Sequence, residues 1–488
     1  MPDRPTPAIW PAFVTVAAVA LLPFLELVAG NLGETLRPFR ILLYASVTVV
    51  LGLGIVALFR RSPHGVRRAA VIVAALLWMF FHLPTIRGWW DGVGLDAPPL
   101  VEWIAATAIV GLVVLPLSRS TGVQTWAAVV APVLLVLPVV QIAGHVLTGG
   151  TAIAPESQGL ALEAVDRPSV YFFVVDGYDR ADVMEEMTGL DITPFLAELE
   201  QRGFVVSDRA NANYPTTFLS LASTLSMDYL VDETDQVTRY RQFYERLQGD
   251  NVVVETFRTL GYRYVHAYPG IWDGTACPTD ADRCFGDSDM LTETDWAILR
   301  RTPIGPPLAT ATMIDRWALH SDPSHVVDQL LADRPDVPYF MFSHVMAPHP
   351  PFVRRADCSV RHDVVIDISR WPDPDEYADF VTCLNGQLRE AFDRILEVDP
   401  DAVIILQADH GSGFTWAVPE RMPILSAMRV PEPCRAAVPS DLGAVNTFRI
   451  VFDCLTTTDF ELLPNRSFNL NYEDPDVRDV TAEVWGGE

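Results

Sequence analysis

Three hydrophobic runs in the second half of the chain each lead into a residue that can bind a cation or move a proton. Asp176 follows YFFVV, His344 follows YFMFS, and Asp409-His410-Gly411 follows VIILQA. In open α/β sheets, ligand sites gather at the carboxyl ends of strands. Three separate strand ends therefore offer carboxylate or imidazole ligands. A fourth element, NANYPTTFLSLASTLSMDYL, places Thr216 and Thr217 at the start of an apolar-faced helix. A hydroxyl there is favoured as an N-cap, and the same backbone N–H groups and helix dipole can receive a phosphate. Taken singly, either threonine reads as a cap and Asp-His-Gly as a turn. Taken together, the three strand ends and the helix-start hydroxyl make the ingredients of a metal-assisted nucleophile.

The elements that must position these residues follow from alternation. Besides SVYFFVVD, short strand candidates stand at Gly203–Ser207, Arg263–Ala267, Tyr339–Ser343, Val403–Gln407 and Pro423–Met428. Between them lie amphipathic helix candidates, among them Thr193–Arg202, Thr216–Asp228, Val252–Leu260 and Glu376–Leu396. That order predicts an α/β domain around a largely parallel sheet. The domain spans 168–488 and is preceded by a polar, Gly- and Pro-containing linker at 148–167.

The first 147 residues are of another kind. Apolar runs at Ala8–Gly30, Ile41–Phe59, Ala69–Ile86, Val101–Leu117 and Trp126–Leu147 each have the length needed to cross a bilayer. The loop RRSPHGVRR after the second run carries Arg60, Arg61, Arg67 and Arg68, which predicts that this loop is cytoplasmic. Five spans with the N-terminus inside put residues 151–488 outside the cytoplasm. Arg37 and Arg40, in the first outer loop, count mildly against that topology. Glu26 lies near the outer end of the first span, where it is expected to reach the headgroups.

Charge divides the same way. Residues 1–150 hold nine arginines against six acids, and the remainder 26 arginines against 56 acids. So acidic a domain repels nucleic acid and tolerates divalent cations. All six cysteines fall in the acidic half, an even number suited to disulfides in an oxidising compartment. Cys277 and Cys284, bracketing CPTDADRC, are the expected pair.

These residues resemble the alkaline phosphatase superfamily, in its membrane-anchored, sulfatase-like branch: lipoteichoic acid synthases, phosphoglycerol transferases and phosphoethanolamine transferases. The resemblance implies a bundle of five transmembrane helices followed by an α/β, alkaline-phosphatase-like domain with a central, largely parallel sheet. It assigns Asp176, Asp409 and His410 to one divalent ion (Mn, Mg or Zn), with Thr217 as a further ligand. It also makes Thr217 of TTFLS the nucleophile, with Ser220 three residues on and Thr216 as the alternative. His349 in HVMAPHPPF matches a histidine that contacts the substrate phosphate, and His344 matches the first histidine of an H-x4-H pattern. Two departures matter. No histidine follows His410, which favours a single ion. Asn213 stands where sulfatases proper carry the cysteine of C-x-P-S-R, which disfavours sulfatase activity and leaves Asn213 as a substrate contact. Arg421, in PERMPIL, is a further phosphate contact unless it pairs with a surface acid.

The function these expectations describe is transfer of a phospho-alcohol headgroup through a phosphothreonine. The donor is a membrane lipid, and the acceptor a cell-envelope glycan, glycolipid or water. A phosphodiesterase, phosphatase or sulfatase-like hydrolase of the same fold is the alternative. A site-degenerate, non-catalytic membrane protein is a third, opposed by the intact Asp176, Thr217, Asp409 and His410. No protein partner can be inferred.

Overall fold

The computed structural model describes residues 8–32, 36–60, 62–95, 97–148, 159–237, 240–268, 272–286, 291–364, 370–470 and 476–486. Arg61 and residues 149–158 of the expected linker lie outside the described residues. The chain forms two compact units, Met1–Gly149 with Met290–Ala311, and Gly150–Asp289 with Thr312–Glu488.

In the first unit five helices are long and apolar enough to cross a membrane: Trp10–Ala29, Pro38–Ala57, His64–Phe81, Pro99–Leu117 and Thr121–Leu147. The third ends earlier than its hydropathy predicts. His82 leaves helical geometry, and Pro84, which suits the first turn of a helix, helps start a separate helix at Leu83–Asp91.

Met290–Ala311, expected within the soluble domain, packs instead with this unit. The helix Glu293–Leu299, started by a Thr292/Asp295 capping box, adds Ala297 and Ile298 to an apolar cluster of Phe24, Leu27, Ile41, Ala45 and Phe81. Polar contacts hold the same segment. Arg301 Nη1 donates to the Pro23 carbonyl at 3.0 Å, the Arg37 N–H donates to Thr294 Oγ1 at 3.0 Å, and Arg40 lies 3.8 Å from Asp295. The Arg40 guanidinium thus has an acidic neighbour in this segment, and Arg37 is tied to it through its backbone. Glu26 is likewise engaged: its Oε2 lies 3.2 Å from His82 Nε2 and 4.0 Å from Arg301 Nη1.

The second unit is built on a seven-stranded sheet. Its strands are β1 (Val170–Val175), β2 (Val205–Val206), β3 (Arg263–Ala267), β4 (Arg283–Phe285), β5 (Tyr339–Val345), β6 (Val403–Ala408) and β7 (Ser426–Arg429), in the order β2-β7-β6-β1-β5-β3-β4. The core five, from β6 to β4, run parallel, and β7 is antiparallel to both of its neighbours. Every residue of β1, β5 and β6 is buried, as an unbroken apolar run requires when helices cover both faces. β5 is two residues longer than the sequence suggests, so His344 lies inside the strand, opposite Val174 of β1.

Three disulfides tie this unit: Cys277–Cys284, Cys358–Cys383 and Cys434–Cys454.

Candidate active site

The carboxyl ends of β1 and β6, neighbours in the sheet, bring Asp176 and Asp409-His410 together. Asp176 is anchored by its N–H to the Val345 carbonyl at 3.0 Å. Asp409 Oδ1 accepts the N–H groups of Gly177 at 3.1 Å and His410 at 3.0 Å. That leaves Asp409 Oδ2 facing His410 Nε2 at 3.2 Å, with Asp176 Oδ1 at 3.6 Å from the same nitrogen. Thr217, the first residue of the buried helix Thr217–Ser226, completes the group, its Oγ1 3.1 Å from His410 Nε2. Thr216 takes the N-cap position without a side-chain capping bond.

The tautomer of His410 follows from its neighbours. Nδ1 lies 2.9 Å from the Gly411 carbonyl, which can only accept, so Nδ1 carries the proton and Nε2 presents its lone pair to the cluster. Arg421, buried rather than on the surface, donates there from Nη2 at 2.9 Å. Its Nε and Nη1 donate to the carbonyls of Pro215 and Gly411, both at 2.8 Å, joining the nucleophile's loop to the Asp-His turn. The guanidinium lies 4.4 Å over Trp416.

Charge is unevenly held. Burial would raise the Asp176 carboxyl, but the His349, His344 and His410 rings outweigh it and hold the group well below the usual carboxylate range. Asp409 moves the other way, raised by burial and by the Asp176 charge. Burial, with the Arg421 charge, pushes His410 well down, and burial also lowers His349. Such divergent neighbours are typical of reactive sites.

A divalent cation fits this arrangement. Ligand atoms of Asp176, Asp409 and His410 lie within 4.8 Å of one another, all in buried residues. Asp176 Oδ1 and Asp409 Oδ2 are buried and lack hydrogen-bond partners among the described residues. Buried anionic oxygens without donors are costly unless a cation meets them. The separations of 3.1–3.6 Å around His410 Nε2 are close to the edge, about 3.3 Å, of a tetrahedron with ~2.0–2.1 Å bonds.

The remaining residues divide. His344 Nε2 lies 3.2 Å from Asp176 Oδ2. His349 bonds the Pro350 carbonyl through Nδ1 at 2.9 Å and meets the Trp371 ring edge-on at 5.4 Å. Asn213 is held by backbone groups. Its oxygen accepts the Val445 N–H at 2.8 Å and its nitrogen donates to the Arg466 carbonyl at 2.7 Å, so the amide ties two loops together and is spent structurally.

Two acids behind the Asp-His turn were not anticipated. Asp179 Oδ1 accepts the Ser412 N–H at 2.6 Å. Glu420 gathers the Ser412 hydroxyl and the N–H groups of Phe414 and Thr415. Between these acids, Gly411 has no room for a Cβ, which would meet the Glu420 carbonyl oxygen at 2.3 Å. Glycine after Asp-His was the available signal.

The family model described as Sulfatase matches residues 168–423, more than half of the 488-residue chain. No curated protein matches by sequence. Among solved structures, the integral membrane protein lipooligosaccharide phosphoethanolamine transferase A (EptA) from Neisseria meningitidis is 10% identical, with a TM-score of 0.43 over 91% of this chain and 95% of that one. The phosphonate monoester hydrolase of Agrobacterium radiobacter is 14% identical, with a TM-score of 0.42 over 66% and 84%. The zinc complex of the C-terminal periplasmic domain of EcEptC from Escherichia coli is 12% identical, with a TM-score of 0.43 over 69% and 100%. By the extent of the family match, this chain belongs to the sulfatase family.

Proposed function

We propose that the protein is a membrane-anchored phosphotransferase that moves a phospho-alcohol headgroup from a phospholipid to a cell-envelope acceptor through Thr217. One observation carries the reading: the Thr217 hydroxyl, at the first turn of a buried helix, lies 3.1 Å from His410 Nε2 beside two buried carboxylates. A divalent ion held by Asp176, Asp409, His410 and Thr217 would favour the threonine alkoxide and polarise a phosphoryl oxygen. The helix N-terminus behind Thr217 favours the negative phosphoryl group. In the first displacement the Thr217 Oγ–P bond forms, the bond from phosphorus to the lipid alcohol breaks, and the threonine's proton ends on the departing alcohol. His349, its Nδ1 tied to Pro350, offers Nε2 to carry that proton. In the second, an acceptor hydroxyl gives up its proton, attacks phosphorus and restores Thr217.

Arg421 holds the two loops in register and sets a fixed cation beside the phosphoryl group. Five spans set the domain near a lipid donor, and three disulfides agree with an extracytoplasmic location. Hydrolysis, with water as acceptor, is the second reading, favoured by the absence of any histidine after His410.

The test follows a headgroup-labelled phospholipid in membranes containing the protein. Label on a glycan or glycolipid, lost in Thr217→Ala and kept in Thr216→Ala, supports transfer. Label released only as a water-soluble phosphoester supports hydrolysis. Loss in Thr216→Ala alone moves the nucleophile by one residue.

A further inference from the structure

A buried line of polar groups runs behind His344. Tyr264 Oη lies 2.7 Å from His266 Nδ1, and His266 Nε2 lies 2.8 Å from the Thr275 carbonyl oxygen. Thr275 Oγ1 lies 3.3 Å from His344 Nδ1, and His344 Nε2 reaches Asp176 Oδ2 at 3.2 Å. Tyr264, His266, Thr275 and His344 are each at most 2% exposed. A carbonyl only accepts, so His266 Nε2 carries that ring's proton and Nδ1 accepts from Tyr264. Burial pushes His266 down to about 4, which keeps this ring neutral and its bonds one-directional near neutral pH.

The backbone of Thr275 is therefore pinned, and its β-branched side chain has few rotamers to choose from. The same turn is held on other sides. Gln248 Nε2 donates to the Asp273 carbonyl at 3.0 Å, and the Trp272 ring meets His344 edge-on at 5.4 Å. The Cys277–Cys284 disulfide closes the loop that follows.

We propose that Thr275 is a positioning residue of the site: its hydroxyl fixes the tautomer and orientation of His344, which in turn orients Asp176 toward the cation. His344 has two neutral tautomers. With the proton on Nδ1, the Nε2 lone pair would confront a carboxylate oxygen at 3.2 Å, two acceptors opposed in a dry site. With Thr275 donating to Nδ1, the proton sits on Nε2 and is directed at Asp176 Oδ2. Asp176 Oδ1, which has no hydrogen-bond partner among the described residues, is then left for the ion. The second arrangement sets each ring nitrogen against a group of opposite polarity, at 3.3 and 3.2 Å, and divides the work of the two carboxylate oxygens. It rests on the cation reading above.

Groups that orient a metal ligand from behind are worth about 10–100-fold in affinity or activity. The experiment measures Mn²⁺ binding to the purified full chain by calorimetry. Thr275→Val should bind about tenfold more weakly, while Thr275→Ser should stay close to the wild type. His344→Gln should also bind weakly, and adding Thr275→Val to it should cost nothing more, because the threonine acts through the histidine. Thr275→Ala takes the place of valine if the larger side chain unfolds the loop.

Wild-type affinity in Thr275→Val overturns the proposal, as does an equal loss with and without His344. Equal losses in the serine and valine variants would make the effect one of packing. A wild-type chain that binds no divalent ion overturns the cation reading. The same variants are then compared by kcat on a labelled phosphodiester, where equal rates in wild type and Thr275→Val dismiss the positioning role. Absence of turnover in the wild type as well overturns the proposed transfer, and the affinities alone then decide the positioning role.

Discussion

Asp179 gives the sharpest quantitative test of how this site is supported. The residue is fully buried, its Oδ1 accepts the Ser412 N–H, and its Oδ2 has no hydrogen-bond partner among the described residues. Burial raises its carboxyl to about 7, with the Ser412 bond opposing and the Glu420 charge adding. In the unfolded chain the group titrates near 3.8, the ordinary value. Between these limits the folded protein keeps a proton that the unfolded chain has released. Stability therefore falls as pH rises from about 4 to about 7, by about 1.4 kcal/mol per pH unit, and levels off above 7. The whole window amounts to about 4 kcal/mol.

Asp179→Asn keeps an oxygen for the Ser412 N–H and cannot ionise. The stability of the variant relative to the wild type should therefore climb by about 4 kcal/mol between pH 4 and pH 7 and stay constant above. Denaturant unfolding of both full-length proteins, followed by tryptophan fluorescence at pH 4–8, measures the difference. Other titrating groups are common to both proteins and cancel. A difference independent of pH would refute the reasoning, since it would mean that Asp179 is already ionised in the folded protein at low pH.

Three further outcomes follow from the geometry. Gly411→Ala forces a Cβ against the Glu420 carbonyl at 2.3 Å and the Pro423 carbonyl at 3.0 Å, and should lower stability by about 1–3 kcal/mol and abolish turnover, read by melting temperature and phosphodiester assay. Asp409→Asn removes one of two mutually repelling buried carboxylates, so the chelated protein should melt higher than wild type. Its stabilisation by Mn²⁺, about 2.7 kcal/mol in the wild type at a hundred times the Kd, should disappear; an undiminished gain would place the ion elsewhere. A reporter active only outside the cytoplasm should work when fused after Glu488 and stay silent after Arg61, and the reverse pattern would invert the topology.

The parts legible in the sequence were those with a local signature. β1, β5 and β6 are unbroken apolar runs, and the residues at their ends stand out because charge is rare there. The helix at Thr217 announces itself by two hydroxyls before an apolar face. What escaped depends on contacts between distant residues. Asp179 and Glu420 are two acids among 62, and only the fold places them behind Gly411. Thr275 lies in a loop whose composition suggests nothing beyond a turn, and it acquires a role by meeting a histidine 69 residues away. Asn213 stands where the motif implies a substrate contact, and only the fold shows that its amide bonds the backbone of Val445 and Arg466. The third span was placed too late because hydropathy continues smoothly through His82, where the backbone breaks.

The segment Met290–Ala311, grouped with the helical unit, also bears on orientation. It packs at one end of the bundle, where the first helix reaches Glu26, the second begins near Arg37 and Arg40, and the third arrives at His82. Arg60, just after the second helix, and Arg67 and Arg68, in the first turns of the third, lie at the other end. Among the described residues, no helix after Leu147 is long and apolar enough to cross a membrane. Arginine-rich short loops stay in the cytoplasm, which puts the segment and its flanks outside. The disulfides reach the same side by a separate route, since they persist where the surroundings are oxidising. Arg40, which weighs against this orientation when arginines alone are counted, has an acidic neighbour there, its guanidinium lying 3.8 Å from Asp295.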